Sequence, residues 1–154
     1  MKKHASKIAA IAAAGLVAAT VVAIAPAAQA AESTTGRVGS QVTARIVDDI
    51  VEVKTGSEYE FSIVITNSGQ RAETVDVEQM FLAPERATVT DGGVLTAGAN
   101  GLTGTVTVEA GQTVTLPVEV HVSDTLGNLD NVVRVTPADA RSWLAWDTNV
   151  IVNR

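Results

Sequence analysis

Residue types that perform catalysis are scarce in this chain, and their spacing restricts them further. There are two histidines; His4 sits in the basic start of the chain, which leaves His121 as the single histidine of its body. A hydrolase that activates a serine or a water near neutral pH needs a base of this kind. His121 falls between Glu119 and Ser123, on the polar phase of an alternating segment, and no Gly-x-Ser-x-Gly elbow accompanies it. It is expected to be a solvated surface residue. Seventeen acidic residues make carboxylate pairs inevitable, and Asp48-Asp49 and Asp124 with Asp130 are close in sequence. Paired carboxylates hydrolyse glycosides, but in clefts rich in aromatic rings, and only 3% of this chain is aromatic. No catalytic residue and no cofactor is expected, and the chain reads as a non-enzyme.

Binding chemistry offers more. Asp124, Asn128, Asp130 and Asn131 crowd one predicted loop, and hard oxygen ligands of this type suit Ca²⁺. EF-hand spacing is absent, and Asp and Asn are also ordinary turn formers. Trp143 and Trp146 stand three residues apart, so on a strand they point to opposite faces. One is expected in the core and one exposed, where an indole can stack on a sugar ring or anchor a protein.

These side chains must be positioned by strands, because the apolar residues recur at period two. Over Ser57–Asn67, Tyr59, Phe61, Ile63 and Ile65 share one face, and Glu58, Glu60, Ser62 and Thr66 the other. Asn67-Ser68-Gly69-Gln70 supplies a turn, with Gly69 free to take a positive φ. Val75 and Val77 then alternate with Thr74, Asp76 and Glu78. Further on, Leu102, Val106 and Val108 precede the turn Glu109-Ala110-Gly111-Gln112, and Val114, Leu116, Val118, Val120 and Val122 follow it. The two segments are expected to form a hairpin. Pro117 cannot donate to a ladder, which places its strand at an edge or at a bulge. Gln41–Val47 and Ile50–Lys54 are the opening strands, broken at Asp48-Asp49, and strands around Leu129–Thr136 and Trp143–Val152 close the chain. No segment of the body keeps a helical period over three turns. Seven or eight short, half-polar strands predict an all-β fold, an immunoglobulin-like Greek-key sandwich rather than a barrel.

Three stretches carry a family resemblance: Glu58 to Gly69, an alternating strand ending in Asn-Ser-Gly; Ala110 to Leu116, a turn into a strand; and Asn128 to Val135. Together they resemble the conserved-repeat, immunoglobulin-like domains of bacterial surface proteins, a family largely of unknown function. The resemblance runs from about Val53 to Val152 and implies a Greek-key sandwich acting as stalk, spacer or adhesion module. This chain has one copy and ends at Arg154 without a wall-sorting tail, and Gln79 to Pro84 replaces the Asp-x-Leu-Pro segment frequent in the family. Some surface sandwiches also join a strand lysine to an asparagine near the last strand. Here Lys54 is the only lysine after residue 7, with Asn149 or Asn153 as partners; a plain strand-end charge is the alternative.

Lys2, Lys3, His4 and Lys7, an apolar run from Ile8 to Ala25, Pro26, and Ala28-Gln29-Ala30 form the pattern of a secretory signal peptide cleaved after Ala30. Residues 1–30 are therefore expected to be removed, 31–39 to be a flexible lead-in and 40–154 to be the sandwich domain. An uncleaved anchor is the alternative, since the run is just long enough to span a bilayer. Without the first three lysines the chain keeps 8 basic against 17 acidic residues, a formal charge of −9. That excludes nucleic acid and anionic lipid surfaces as partners. With no cysteine, disulfides and thiolate chemistry are absent, and the core alone must hold an exported domain together.

The expected function is a non-catalytic secreted or cell-envelope module, structural or binding, with a cell-surface protein or wall glycan as partner and no membrane contact after signal cleavage. The alternative is a freely secreted effector, an inhibitor or small-ligand carrier, that presents an exposed apolar loop at Met80-Phe81-Leu82.

Overall fold

In an extended chain, residues i and i+2 share a face, so period-two alternation buries one side of each strand. The computed structural model describes residues 41–98, 100–138 and 140–154. The signal peptide expected over 1–30 and the lead-in over 31–39 lie outside the described residues. Among the described residues are ten strands: β1 (Val42–Val47), β2 (Glu52–Lys54), β3 (Glu58–Asn67), β4 (Glu73–Phe81), β5 (Ala87–Asp91), β6 (Thr96–Gly98), β7 (Gly101–Val108), β8 (Thr113–Val122), β9 (Gly127–Pro137) and β10 (Trp143–Val152). A 3₁₀ turn at Pro84–Arg86 separates β4 from β5. The two strands beyond the expected eight are β5 and β6, five and three residues long, and the expected strand Ile50–Lys54 is present as β2.

The strands form two sheets, one ordered β1-β3-β8-β5 and the other β2-β10-β9-β4-β7-β6. Every pairing is antiparallel except that of β2 with β10, which runs parallel from Val150 opposite Glu52 to Val152 opposite Lys54. The chain changes sheet at every connection except β6–β7 and β9–β10, and two of these crossings, β3 to β4 and then β7 to β8, join long strands of opposite sheets. These crossings make the molecule an immunoglobulin-like Greek-key sandwich.

The second crossing corrects the expected hairpin. Gln112 N donates to Glu109 O at 3.0 Å, closing the local turn. Gln112 O, however, accepts from Asn67 N at 2.9 Å, and β8 pairs with β3 and β5 while β7 pairs with β4 and β6. Alternation fixes which face a strand buries; it does not choose the partner. Pro117 is reconciled in a similar way. Its strand is internal, but β5 covers it only from Glu119 to Val122, with a register shift between Val89 and Asp91. Pro117 lies just past the end of that cover, where a missing N–H costs nothing.

Gly69 does not take a positive φ. Instead Asn67 Oδ1 accepts from Gly69 N at 2.9 Å, while Asn67 Nδ2 donates to Arg71 O at 2.7 Å and Val108 O at 3.0 Å. A buried asparagine thus replaces glycine geometry in this arch. Gly101 is the position that does require glycine: its φ is +154°, and a Cβ there would fall 1.9 Å from Gln79 O.

Phe61, Ile63 and Ile65 of β3 with Leu116, Val118, Val120 and Val122 of β8 form one layer of the core. Val75 and Val77 of β4, Val133 and Val135 of β9, and Leu102 and Val108 of β7 form the facing layer. Each such side chain contributes about 1.5–3 kcal/mol by leaving water. Phe61 meets Phe81 edge-on at a centroid distance of 6.3 Å. No helix of the described residues is long and apolar enough to cross a membrane.

Candidate functional site

The last strand departs from the pattern of the others. Along β10, Ala145 and Ile151 point into the core, and so do Asp147 and Asn149. The outward phase carries Leu144, Trp146, Thr148 and Val150, with Leu144, Trp146 and Val150 exposed at 49%, 52% and 45%. β10 is thus apolar outside and partly polar inside.

On the outer face, cross-strand register builds a row. Met80 of β4 stands opposite Val132 of β9, and Val132 stands opposite Trp146 of β10. Side chains directly opposite on one face have Cβ atoms about 4.5–5.5 Å apart, so the three form a continuous apolar strip. Leu144 and Val150 extend it along β10, and Leu82, 55% exposed, follows the end of β4. Trp146 Nε1 donates to Thr148 Oγ1 at 3.0 Å, and Thr148 Oγ1 donates to Asp130 Oδ1 at 2.8 Å. This relay pins the indole. Glu78 and Arg134 pair beside the row.

Trp143 points the other way, packs against the core and donates its indole N–H to Ala44 O at 2.8 Å. It therefore ties β10 to β1 of the opposite sheet.

The inner face of β10 holds a cluster that sequence reasoning did not find. Asn149 Nδ2 donates to Asp48 Oδ2 at 2.6 Å and to Asp147 Oδ2 at 3.0 Å, and lies 3.0 Å from the Tyr59 hydroxyl. Tyr59 donates its hydroxyl proton to Asp48 Oδ2 at 2.7 Å. Burial, and then the charge and hydrogen bond of Asp48, push the Asp147 carboxyl up to about 6. The Tyr59 hydroxyl is held well above its ordinary range, first by burial and then by Asp48. Asn131, opposite Asp147 in the register, accepts from Gln79 Nε2 at 2.9 Å. A buried polar track therefore crosses the sheet from Gln79 to Asn149. Three of its atoms, Gln79 Oε1, Asn131 Nδ2 and Asn149 Oδ1, have no partner. A signal was present in the sequence: Asp147 and Asn149 share a phase with Ala145 and Ile151. The contribution of Asp48, about a hundred residues away, had none.

The other sequence candidates are dispersed. Asp124 is exposed and lies near Gly56. Asn128 and Asp130 face outward on β9, while Asn131 faces the core. The expected loop of four oxygen ligands is not formed, because three of the four belong to a strand and alternate across it. His121 is exposed and its Nδ1 lies 2.9 Å from Glu58 Oε1. Lys54 is exposed on β2 beside Val152, whereas Asn149 is buried on the inner side, so the two are not brought together; Asn153 is exposed. Asp49 has φ +58° and is exposed, and it is Asp48 that turns inward. In Met80-Phe81-Leu82, Phe81 is 5% exposed, so the segment is the end of a core strand rather than a presented loop.

No family model matches the chain, and no curated protein matches it. Among solved structures it is similar to a fragment of Escherichia coli α2-macroglobulin running from domain MG7 to the C-terminus, with a TM-score of 0.59 at 11% identity over 77% of this chain and 17% of that one. It spans 7% of the native α2-macroglobulin chain. A FixG-related protein from Vibrio parahaemolyticus gives a TM-score of 0.51 at 11% identity, over 73% of this chain and 98% of that one. The CARDB domain of the PF1109 protein from Pyrococcus furiosus gives 0.50 at 13%, over 72% and 87%. At these identities the likeness is one of fold: the chain is an immunoglobulin-like β-sandwich of the kind that bacterial multidomain proteins also contain.

Proposed function

We propose that the chain is a non-catalytic module of the conserved-repeat type, exported and held at the cell envelope, that binds a protein through the outer face of its six-stranded sheet. The observation that carries this reading is the row Met80, Val132, Trp146 with Leu144 and Val150 beside it. An apolar strip with a pinned aromatic at its centre is the arrangement of a binding hot spot. A sugar ring needs free hydrogen-bonding groups around the stacking surface, and here the nearest ones are engaged with each other, Trp146 with Thr148, Thr148 with Asp130 and Arg134 with Glu78. Protein is therefore favoured over wall glycan. Asp130, Glu78 and Glu52 border the strip and the domain is strongly acidic, so a partner with basic residues around an apolar centre fits. Export is supported by the residue pattern of 1–30. The non-catalytic reading is supported by His121, which lies in solvent with Glu58 rather than beside a nucleophile. Burial of Phe81 counts against the freely secreted effector.

The test is binding of the purified protein to isolated envelopes, before and after the envelopes are treated with protease. Binding should vanish after protease and fall at least tenfold in Trp146→Ala, whose melting temperature stays that of the parent. Unchanged binding by Trp146→Ala overturns the surface assignment, and binding that survives protease points to glycan and overturns the choice of partner.

A further inference from the structure

The outer row does not end at Met80. Met80 stands opposite Gly101 of β7, and Gly101 opposite Gly98 of β6. The row therefore crosses five strands, as Trp146, Val132, Met80, Gly101 and Gly98, from the largest side chain to none. With neighbouring strands about 4.8 Å apart it runs for about 19 Å. Polar residues border it: Thr103, Glu78 and Arg134 along one side, Asp130 and Thr148 along the other. At the glycine end the floor drops to the backbone beside the exposed Thr96 and Thr103. Gly101 is required by its own backbone, but Gly98 is not. Its φ is not positive, and a Cβ there would meet only Gly101 O, at an ordinary 3.7 Å. The fold leaves room for a side chain that the sequence omits, and the omission keeps the end of the row open.

The shape and bonding of this surface discriminate between occupants. An extended peptide binds a sheet by pairing its main chain with a free edge. Here β10, β9, β4 and β7 are each paired on both sides, so the face offers no such edge. A second sheet packs through a broad apolar face, and this apolar row is flanked by polar ones. A second copy of the chain would bring Asp130 and a strongly acidic surface against themselves. A helix satisfies its own backbone and presents a narrow apolar stripe. At 1.5 Å per residue, about 13 helical residues cover the row. Neither Asp130 nor Asp76, on opposite sides of the row, belongs to an ion pair among the described residues. Basic residues flanking the stripe would meet both.

We propose that the row receives an amphipathic α-helix of the partner protein, with a large apolar side chain over Gly98 and Gly101 and Lys or Arg toward Asp130 and Asp76. This rests on the outer-face reading above and names the element that the face accepts.

The test uses the whole purified protein and two dye-labelled peptides of about 14 residues with identical Leu and Lys content, in salt at which charges are screened beyond about 8 Å. One peptide carries Leu at helical spacing, and the other alternates Leu with Lys as a strand would. By fluorescence anisotropy the helical peptide should bind at least tenfold more tightly. Trp146→Ala should weaken it at least tenfold. Gly98→Leu, which fills the open end without entering the core, should do the same. Exchanging Lys for Glu in the helical peptide should abolish binding. Equal binding of the two peptides reports charge alone and overturns the helix, as does tighter binding of the alternating one. Helical binding that ignores both protein variants overturns the location. A dimer of the parent protein that Trp146→Ala dissociates, seen by sedimentation, puts a second copy on the row and overturns the proposal too. Absent peptide selectivity with envelope binding that still depends on Trp146 removes the helix and leaves the binding face. Envelope binding indifferent to Trp146 removes both.

Discussion

Strands β8 and β10 are each ten residues long, and they are built on opposite plans. In β8 the inward phase is Val114, Leu116, Val118, Val120 and Val122, and the outward phase is Thr113, Thr115, Pro117, Glu119 and His121. In β10 the outward phase holds Leu144, Trp146 and Val150 and the inward phase holds Asp147 and Asn149. The first strand obeys burial at every position, and everything in it is explained by the core. The second exposes apolar surface and buries charge, and both departures weaken the fold unless something else meets them. Local rules fail where a chain is shaped for more than folding, and here both failures lie on one strand.

The contrast can be broken most forcefully in β8. Leu116→Ala removes a buried side chain and should lower stability by about 2–5 kcal/mol, measured by denaturant unfolding. Trp143→Phe should cost about 1 kcal/mol, from the loss of the indole N–H bond to Ala44 O, with a lowered midpoint and an unchanged denaturant slope.

Asp147 gives a change of opposite sign and similar size. Its carboxyl rises on folding from 3.8 to about 6, so between these values the folded chain holds a proton that the unfolded chain releases. The contribution of this carboxyl to stability is therefore greatest at low pH and declines as pH rises from about 4 through 6. The decline should be about 1–2 kcal/mol, since the group is half-exposed and solvent screens it. Asp147→Asn should abolish that slope, exceeding the parent at pH 7.5 and matching it near pH 4, as followed by melting temperature across pH. The smallest effect belongs to the outer face: Trp146→Ala should move stability by no more than about 0.5 kcal/mol in the same unfolding assay. A larger loss there would mean that β10 resembles β8 after all.

Much of the fold was legible because alternation is a one-dimensional signal. Ser57–Asn67 and Val114–Val122 could be assigned to strands and faces from their residues alone, and the odd spacing of Trp143 and Trp146 fixes that they diverge. Pairing was not legible. The turn at Glu109–Gln112 has the chemistry of a hairpin, and only the competing demand of Asn67 for Gln112 O shows that it spans two sheets. The outer row was half visible: Trp146 stood out, but Met80 and Val132 join it through register, which no local pattern encodes. Asn128, Asp130 and Asn131 misled because turn formers also occur within strands, where alternation scatters them. The Asp48 and Asp147 meeting depends on contacts nearly a hundred residues apart in sequence.

The parallel strip of β2 on β10 has a consequence for how the molecule comes into being. Glu52–Lys54 is synthesised early and can dock only when Val150–Val152 has emerged. The Trp143 bond to Ala44 and the Asn149 bond to Asp48 wait on the same event. Closing such distant ends is entropically slow, and sandwiches of this type assemble in milliseconds to seconds. The first strands thus spend their earliest moments without their final neighbours, and β10 acts as the clasp that ends that exposure.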